Sequence, residues 1–258
     1  MLIVTWNVNS LRARLPRVLE LLERHAPEVV CLQETKVEQA AFPHAELAEA
    51  GYAAVEHSAG RWAGVAILAR TDLPLEDEAR GLPGESAPEE ARWVEASVAG
   101  VRVASVYVPN GRAVGSEPFA EKLAFLEAIA RRVSAWRGEP AAVLGDFNVA
   151  PADRDVYDPV AFAGSTHVTV EERSRLEEVL AAGELRDAYR ELHPEEVGYT
   201  WWDYRQGHFH RKLGLRIDLA LVGGPLAGRV TACGIDRSFR KGPKPSDHAP
   251  LLLELRGS

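Results

Sequence analysis

The stretch Ala141-Ala142-Val143-Leu144-Gly145-Asp146-Phe147-Asn148 joins a short apolar run directly to acidic and amide side chains. Consecutive apolar residues of this length predict a buried strand, and the polar groups emerge where that strand stops. The chain has four more polar islands of this kind, each at the end of an apolar run: Trp6-Asn7, Gln33-Glu34, Arg216-Ile217-Asp218 and Ser246-Asp247-His248. Because strand ends converge at one edge of a sheet, the five islands predict a single shared site.

Apolar runs and glycine-punctuated turns predict strands in both halves of the chain. Besides 141–144, strands are predicted at 2–6, 29–32, twice within 52–69, and at 93–98, 101–108, 217–222, 230–235 and 249–255. Helical spacing of apolar residues predicts helices after Ser10, at 119–136 and near 170–182, whereas 71–91 resembles an acidic loop. This mixture favours an α/β (α+β) fold in which two mixed sheets pack face to face with helices outside.

Length and composition favour one catalytic domain over residues 1–258. A chain of 258 residues with 46% hydrophobic residues can bury one large core, and no linker-like segment interrupts it. The two cysteines, Cys31 and Cys233, provide neither a disulfide framework nor a zinc-binding spacing. With no leader-like segment and no apolar stretch of about 20 residues, we expect a cytoplasmic monomer without membrane contact.

The formal charge of −8 argues against a polyanionic partner, but charge is locally distributed along the chain. Charges farther apart than roughly 8 Å are largely screened at physiological salt, so the local field decides. The segment 205–244 contains only two acidic residues among its basic ones: Arg205, Arg211, Lys212, Arg216, Arg229, Arg237, Arg240, Lys241 and Lys244. Nearby aromatic residues, including Trp201 and Trp202, favour a phosphate-binding, nucleic-acid surface over an ordinary solvated loop.

The residue types at the strand ends are those that metal-assisted phosphodiester hydrolysis requires. Glu34 is the expected principal ligand, because Mg²⁺ prefers one or two carboxylates, and Asn7 would share the metal shell or hold the phosphate. Asp146 and Asn148 are suited to orient or deprotonate the attacking water and to fix a phosphate oxygen. His248 can donate a proton to a phosphate oxygen, provided that a carboxylate holds its other ring nitrogen.

Eight motifs extend this picture over nearly the whole chain: Thr5-Trp6-Asn7-Val8-Asn9-Ser10, Leu32-Gln33-Glu34-Thr35-Lys36, Val106-Tyr107-Val108-Pro109-Asn110-Gly111, Leu144-Gly145-Asp146-Phe147-Asn148-Val149-Ala150-Pro151, Asp155-Val156-Tyr157-Asp158-Pro159, Thr200-Trp201-Trp202-Asp203-Tyr204-Arg205, Gly214-Leu215-Arg216-Ile217-Asp218 and Ser246-Asp247-His248-Ala249-Pro250. In this order they resemble the exonuclease III type of apurinic/apyrimidinic endonucleases in the endonuclease/exonuclease/phosphatase superfamily. The resemblance implies a four-layered α/β sandwich that uses Mg²⁺, with Mn²⁺ as a substitute. It also implies a DNA repair enzyme that cuts double-stranded DNA 5′ of abasic sites and trims or cleans 3′ ends as a 3′–5′ exonuclease.

The resemblance also implies a role for individual residues. The implied metal shell is Asn7, Glu34, Asp146, Asn148, Asp247 and His248. Asp218 would be the carboxylate that holds His248, so the implied catalytic residues are Tyr107, Asp146, Asn148, Asp218 and His248. Tyr107 would donate its hydroxyl to the scissile phosphate, with Asn110 as its companion in the following turn.

Substrate choice depends on further residues that the resemblance assigns. Trp201, Leu215 and Ile217 would form an apolar pocket for a flipped sugar without a base, which selects abasic sites because little unstacking is needed. Arg112 and Lys241 would contact the flanking phosphates without reading sequence. The balance between endonuclease and exonuclease activity stays open at this point.

Two other functions stay open, and several residues receive no functional role. A phosphoesterase for small or lipid phosphodiesters would share the same catalytic set, whereas a silent DNA-binding protein is disfavoured because every metal and acid/base position is filled. Four tryptophans are expected to pack in the core: Trp6, Trp62, Trp93 and Trp136. The histidines without ligand spacing are assigned nothing: His25, His44, His57, His167 and His193.

Overall fold

The computed structural model of the chain describes residues 1–257, which form two six-stranded sheets. The first sheet contains, from edge to edge, β11 (Val230–Ile235), β12 (Leu251–Leu255), β1 (Leu2–Asn7), β2 (Val29–Gln33), β4 (Val65–Arg70) and β3 (Tyr52–His57). The second contains β5 (Leu75–Arg80), β6 (Trp93–Val98), β7 (Val101–Tyr107), β8 (Ala141–Asp146), β10 (Asp218–Gly223) and β9 (Leu185–Asp187). The helices are α1 (Leu11–His25), α2 (His44–Glu49), α3 (Glu117–Ser134), α4 (Pro159–Phe162), α5 (Val170–Gly183), α6 (Ala188–Leu192) and α7 (His208–Arg211).

The two sheets bury one apolar layer between them, and helices cover their outer faces. Strand residues alternate between the two faces of a sheet, so Ile3 joins the inner cluster between the sheets while its neighbour Val4 joins the outer cluster with α1. On the other side, α3 and α5 pack over the second sheet in a cluster that contains Ile129 and Val179. The predicted architecture, two mixed sheets face to face with helices outside, is confirmed.

Capping fixes where the outer helices begin. The Ser10 hydroxyl accepts a hydrogen bond from the backbone N–H of Ala13 at 3.4 Å, as the predicted start of α1 requires. At α5, Thr169 and Glu172 form a reciprocal capping box, each side chain accepting from the other residue's backbone N–H. The first cap also lies beside the end of β2, since the backbone N–H of Ser10 donates to the carbonyl of Glu34 at 2.7 Å.

Strand register brings the polar islands to one edge of the sandwich. β1 and β2 are parallel, so Asn7 lies opposite Gln33, and Glu34 follows directly. β7 and β8 are also parallel and place Tyr107 beside Asp146. Asp218 is the first residue of β10 rather than its last, but β10 runs antiparallel to β8, so Asp218 pairs with Asp146.

Six elements were not predicted from the sequence: β5, β9, α2, α4, α6 and α7. The segment 71–91 was predicted to be a loop, and this is wrong for β5, because an exposed edge strand of sequence Leu-Glu-Asp-Glu-Ala-Arg carries almost no apolar signal. β9 has only three residues and α2 only six, which is too short for a hydrophobic period to show. Among residues 1–257, no helix combines the length and the apolar character that crossing a membrane requires.

Two expectations about tryptophan and arginine fail in part. Trp6, Trp93 and Trp136 are buried as expected, but Trp62 is 79% exposed, because it lies in a loop between β3 and β4 rather than in a strand. Arg216 is fully buried, and its guanidinium pairs with Asp155 at 2.7 Å and with Asp187 at 2.7 Å. Arg240 is also buried, so neither arginine belongs to a phosphate-binding surface.

Candidate active site

An amide joins the two metal-binding carboxylates that the sequence predicted. Asn7 ends β1, Glu34 follows β2, and Asp146 ends β8. The Asn7 side-chain amide donates to Glu34 Oε1 at 2.7 Å and to Asp146 Oδ2 at 2.9 Å. Since Asn7 and Asp146 are buried, these bonds hold both carboxylates in one orientation at the centre of the site.

Lys36 and Asn9 extend this centre, although no role was predicted for either residue. Lys36 Nζ lies 2.6 Å from Glu34 Oε2 and donates to Asn9 Oδ1 at 2.6 Å. Asn9 in turn donates to Asp247 Oδ1 at 3.1 Å. Both residues belong to motifs quoted above, so the sequence marked their positions. It did not reveal that they contact Glu34 and Asp247.

His248 is clamped between two carboxylates. Its Nδ1 lies 2.8 Å from Asp218 Oδ2, and its Nε2 lies 3.7 Å from Asp146 Oδ2. Burial by itself would lower the pKa of His248, but the carboxylates of Asp218 and Asp146 outweigh it and raise that pKa to about 10. The ring is therefore an imidazolium at neutral pH, able to donate toward a phosphate oxygen.

Asp146 is a buried carboxylate with an unusually high proton affinity. Burial raises its pKa to about 7, and the positive charge of His248 only partly opposes the rise. Asp146 Oδ1 also accepts the backbone N–H of Asn148 at 2.9 Å, which fixes the turn after β8. A pKa close to the working pH is what an efficient general base requires.

Tyr107 stays protonated and faces the same groove. Burial, with added repulsion from the Glu34 and Asp146 carboxylates, raises the pKa of Tyr107 well above its ordinary value. The guanidinium of Arg92 lies 4.8 Å from the centre of its ring. The hydroxyl is thus a hydrogen-bond donor held at a fixed place beside the carboxylates.

Asn148 and Asn110 connect the turns that follow β8 and β7. Asn148 adopts a left-handed backbone with φ of 51°, which asparagine tolerates better than most residues. Its Nδ2 donates to the carbonyl of Val108 at 2.9 Å, while its Oδ1 lies 3.5 Å from Asn110 Nδ2. Both amides are therefore held near Asp146 by the neighbouring backbone.

His167 was assigned nothing from the sequence, yet it contacts both asparagines. Its Nδ1 donates to the carbonyl of Asn148 at 2.6 Å, and its Nε2 lies 3.5 Å from Asn110 Nδ2. Burial, together with the nearby Lys122 ammonium, lowers the pKa of His167 to about 4, so the ring is neutral. A single histidine in an irregular loop gives no sequence signal for this contact.

Beneath these turns lies a fully buried ion pair between Lys122 of α3 and Glu172 of α5. Lys122 Nζ also donates to the carbonyl of Asn148 at 2.6 Å and to that of Asn110 at 3.2 Å. Glu172 accepts the backbone N–H of His167 at 2.9 Å. One pair therefore supports three segments that carry site residues.

The residues predicted to form an apolar pocket lie together, though two of them are closed to solvent. Leu215 and Ile217 are buried in a cluster with Val156, and half-buried Trp201 packs against that cluster. The indole Nε1 of Trp201 donates to Asp247 Oδ2 at 3.1 Å. The apolar cluster is thereby joined directly to the polar site.

The two predicted phosphate contacts lie apart. Arg112 is exposed and lines a groove of about 680 Å³ together with Glu34, Tyr107 and Asn110. Lys241 is exposed just after the short turn of helix at Arg237–Arg240 and does not line that groove. A larger cavity of about 1050 Å³ lies against α6 and β11, but no predicted site residue lines it.

The centre of the site is suited to a divalent cation. Glu34, Asp146 and His248 each place a ligand atom within 4.8 Å of the other two. Carboxylate oxygens are the ligands that Mg²⁺ and Mn²⁺ prefer. The high pKa of buried Asp146 shows that nearby protein groups leave its charge only partly compensated. The donor set therefore fits a hard divalent ion.

Known proteins resemble this chain in sequence and structure over nearly its full length. The family model described as "Endonuclease/Exonuclease/phosphatase family" matches residues 4–248. Exodeoxyribonuclease III of Haemophilus influenzae is 30% identical over 267 residues, which cover 98% of this chain and 99% of that protein.

Two solved structures are also similar to this chain over nearly its full length. The 3′ phosphatase NExo from Neisseria, bound to a product DNA hairpin, is 40% identical with a TM-score of 0.95, and the match covers 100% of both chains. An AP endonuclease from Archaeoglobus fulgidus is 36% identical with a TM-score of 0.94 and covers 99% of both chains. The chain therefore belongs to the endonuclease/exonuclease/phosphatase family, among the metal-dependent DNA repair nucleases of the exodeoxyribonuclease III type.

Proposed function

We propose that this chain hydrolyses double-stranded DNA on the 5′ side of abasic sites and removes nucleotides or blocking groups from 3′ ends. It does so with Mg²⁺, for which Mn²⁺ substitutes, as a cytoplasmic monomer. The observation that carries the proposal is the convergence of Asn7, Glu34, Asp146 and the His248–Asp218 pair at one groove. Such a set can bind a hard cation, deprotonate water and stabilise an oxyanion together.

Glu34 and Asp146 are the residues that hold the cation in this proposal, with Asn7 orienting both carboxylates. When bound, the divalent ion supplies positive charge that offsets the charge developing on the phosphate. Asn7 donates to one oxygen of each carboxylate and so fixes the orientation in which both face the site. Lys36 adds a second positive charge beside Glu34.

The proton-handling groups have complementary charge states. Asp146, ionised beside the cation, accepts a proton from the attacking water. His248, with a pKa of about 10, donates a hydrogen bond to a non-bridging phosphate oxygen, and Asp218 holds the ring in the orientation this requires. Tyr107 adds a neutral donor to the same phosphate from the end of β7.

Selection of the substrate rests on two different lines of support. The packing of Trp201 against buried Leu215 and Ile217 supports an apolar surface for a sugar that lacks its base. The relatives that are 36% and 40% identical act on DNA in two ways, one as an AP endonuclease and one as a 3′ phosphatase. We therefore propose both activities for one site, because both break a phosphoester bond.

The test uses two labelled duplexes and the purified chain with either Mg²⁺ or EDTA. One duplex carries a stable abasic analogue in one strand, and the other has a recessed end with a 3′-phosphate. We expect a Mg²⁺-dependent nick 5′ of the analogue and release of phosphate from the 3′ end. Asp146→Asn, which keeps the shape of the side chain but removes the base, should abolish both reactions.

The outcomes separate the proposal from its rivals. Phosphate release without a nick would restrict the chain to 3′ ends, and a nick without phosphate release would restrict it to abasic sites. Failure to cut either duplex with Mg²⁺ or Mn²⁺ would contradict the proposal and favour a small phosphodiester substrate. Size-exclusion chromatography of the same preparation tests the monomer.

A further inference from the structure

Trp62 is exposed to a degree that is unusual for tryptophan. Its exposed fraction is 79%, whereas Trp6, Trp93 and Trp202 are at most 1% exposed. Within residues 1–257, the buried tryptophans Trp6, Trp93 and Trp202 make ring–ring or cation–ring contacts, whereas Trp62 makes none. An exposed indole contributes little to the core, so any role for Trp62 depends on what its position places it beside.

The loop that carries Trp62 is held rigidly against the end of β2. Lys36 N donates to the carbonyl of Ala63 at 2.9 Å, and Thr35 N donates to the carbonyl of Gly64 at 3.1 Å. Gly64 has φ of +99°, and a Cβ there would lie 2.1 Å from Thr35 Oγ1, so only glycine allows this close approach. The backbone that carries Trp62 is therefore tied to the strand end that carries Glu34.

Trp62 also lies on the wall of the catalytic groove, which it shares with the exposed Arg112. It lines the groove of about 680 Å³ with Glu34, Tyr107 and Arg112. Arg112 and the exposed Arg61, which adjoins Trp62 in sequence, take part in no ion pair within residues 1–257. A flat exposed aromatic ring on the same groove as the unpaired Arg112 is a combination that binds a nucleobase and a backbone phosphate.

We propose that Trp62 is a stacking subsite for one base of the DNA that occupies the catalytic groove. The inference rests on the proposed function, since it requires DNA in this groove. Every base has a π face, so the contact holds the strand without reading its sequence. Because the loop is fixed before DNA arrives, little ordering opposes binding.

Affinity for uncut DNA tests the subsite. We would measure Kd by fluorescence anisotropy for a labelled duplex with a recessed 3′ end, in EDTA so that no hydrolysis occurs. Base–aromatic stacking predicts that Trp62→Ala weakens binding by about 5- to 100-fold and that Trp62→Phe retains most of the affinity. Val197→Ala, a 58% exposed apolar residue outside the groove, should bind like the wild type.

A second measurement identifies the stacked base. In a series of duplexes, each nucleotide near the scissile bond is replaced in turn by a base-free spacer. One spacer position should weaken binding by the wild type while causing no further loss in Trp62→Ala, because both changes remove the same contact. Losses that multiply at every position would overturn the subsite.

The controls keep this result separate from that of the proposed function. Unaltered thermal unfolding of Trp62→Ala is expected, because the side chain is exposed. If the wild type cuts the duplex with Mg²⁺ but Trp62→Ala binds it equally well, the subsite alone is overturned. If the wild type neither binds nor cuts, the proposed function fails and the subsite fails with it.

Discussion

Among the carboxylates that keep His248 charged, Asp218 contributes most and is the one that contacts its ring directly. Asp218 Oδ2 lies 2.8 Å from His248 Nδ1, and both side chains are buried. Backbone N–H groups of Ile217 and Asp218 donate to the Thr200 hydroxyl at 3.2 Å and 3.1 Å, which fixes the start of β10. The imidazolium is thus held by a carboxylate that cannot rotate freely.

Replacing Asp218 with Asn should therefore impair catalysis much more than folding. The amide keeps the size of the side chain but removes the largest of the negative charges that raise the pKa of His248, and loss of proton-donating help costs about 10²- to 10⁴-fold in rate. Steady-state kinetics on the abasic duplex should show a fall in kcat with little change in KM.

Asp236 offers a matched control for this substitution. Its carboxylate lies 3.0 Å from His25 Nε2, in an Asp–His pair that contains no site residue. Asp236→Asn should leave kcat unchanged. A kcat for Asp218→Asn within a few-fold of the wild type would show that His248 acts without its partner.

At the scale of elements, the glycine before Asp146 allows β8 to lie close against β7. Gly145 has φ of +155°, and a Cβ there would lie 2.0 Å from the carbonyl oxygen of Val106 in β7. We expect Gly145→Ala to force β7 and β8 apart, costing about 2–6 kcal/mol of stability through strain and overpacking together. It should also lower activity, because Tyr107 and Asp146 end these two strands.

Thermal unfolding and cleavage assays check this expectation against a glycine with free space. Gly234 lies in the edge strand β11, and a Cβ there would meet nothing within 4 Å. Gly234→Ala should be close to neutral in both assays. Equal behaviour of the two variants would contradict the idea that the β7–β8 approach depends on Gly145.

The Lys122–Glu172 pair joins α3 to α5 and supports the turns above it. Lys122→Met leaves Glu172 buried without its counter-charge, and breaking such a pair costs about 3–5 kcal/mol. At about 2–4 °C per kcal/mol for a chain of this size, Tm should fall by roughly 6–20 °C. Activity of the folded variant should also fall, since Lys122 holds the carbonyls of Asn110 and Asn148.

The exposed pair of Arg131 and Glu127 on α3 provides the control. Both side chains are about half exposed, so Arg131→Ala should cost at most about 0.5 kcal/mol. Adding Glu172→Leu to Lys122→Met should recover part of the lost stability by removing the stranded charge. A fall in Tm no larger for Lys122→Met than for Arg131→Ala would rule out the supporting role.

An element or site residue could be predicted from the sequence only where a pattern among neighbouring residues marks it. β8 could be predicted because its apolar run is continuous, whereas β5 could not, because an exposed edge strand buries little. Asp146 could be found at a strand end, but the Lys122–Glu172 pair joins residues 50 positions apart with no local pattern. Trp62 was misplaced because tryptophan is usually buried, and only the loop geometry shows otherwise.

The net charge of the whole molecule opposes DNA binding. The attraction to DNA phosphates must therefore come from cations grouped locally on the surface. The net charge is −8, and many basic side chains are already committed, as Arg216 is to Asp155 and Asp187. Each phosphate contact contributes about −0.9 to the slope of log affinity against log salt. A protein of this charge should therefore show a shallow slope that depends on few residues.

Removing a single phosphate contact should change that slope measurably. Arg112→Ala and Lys241→Ala are each expected to reduce its magnitude by about 1, because each removes one counterion-releasing contact. The measurement is Kd for an uncut duplex in EDTA between about 50 and 200 mM salt. Arg131→Ala, on the outer face of α3 and paired with Glu127, should leave the slope unchanged. If Lys241→Ala also leaves it unchanged while Arg112→Ala does not, DNA occupies the groove beside Tyr107 without reaching the Arg237–Arg240 turn.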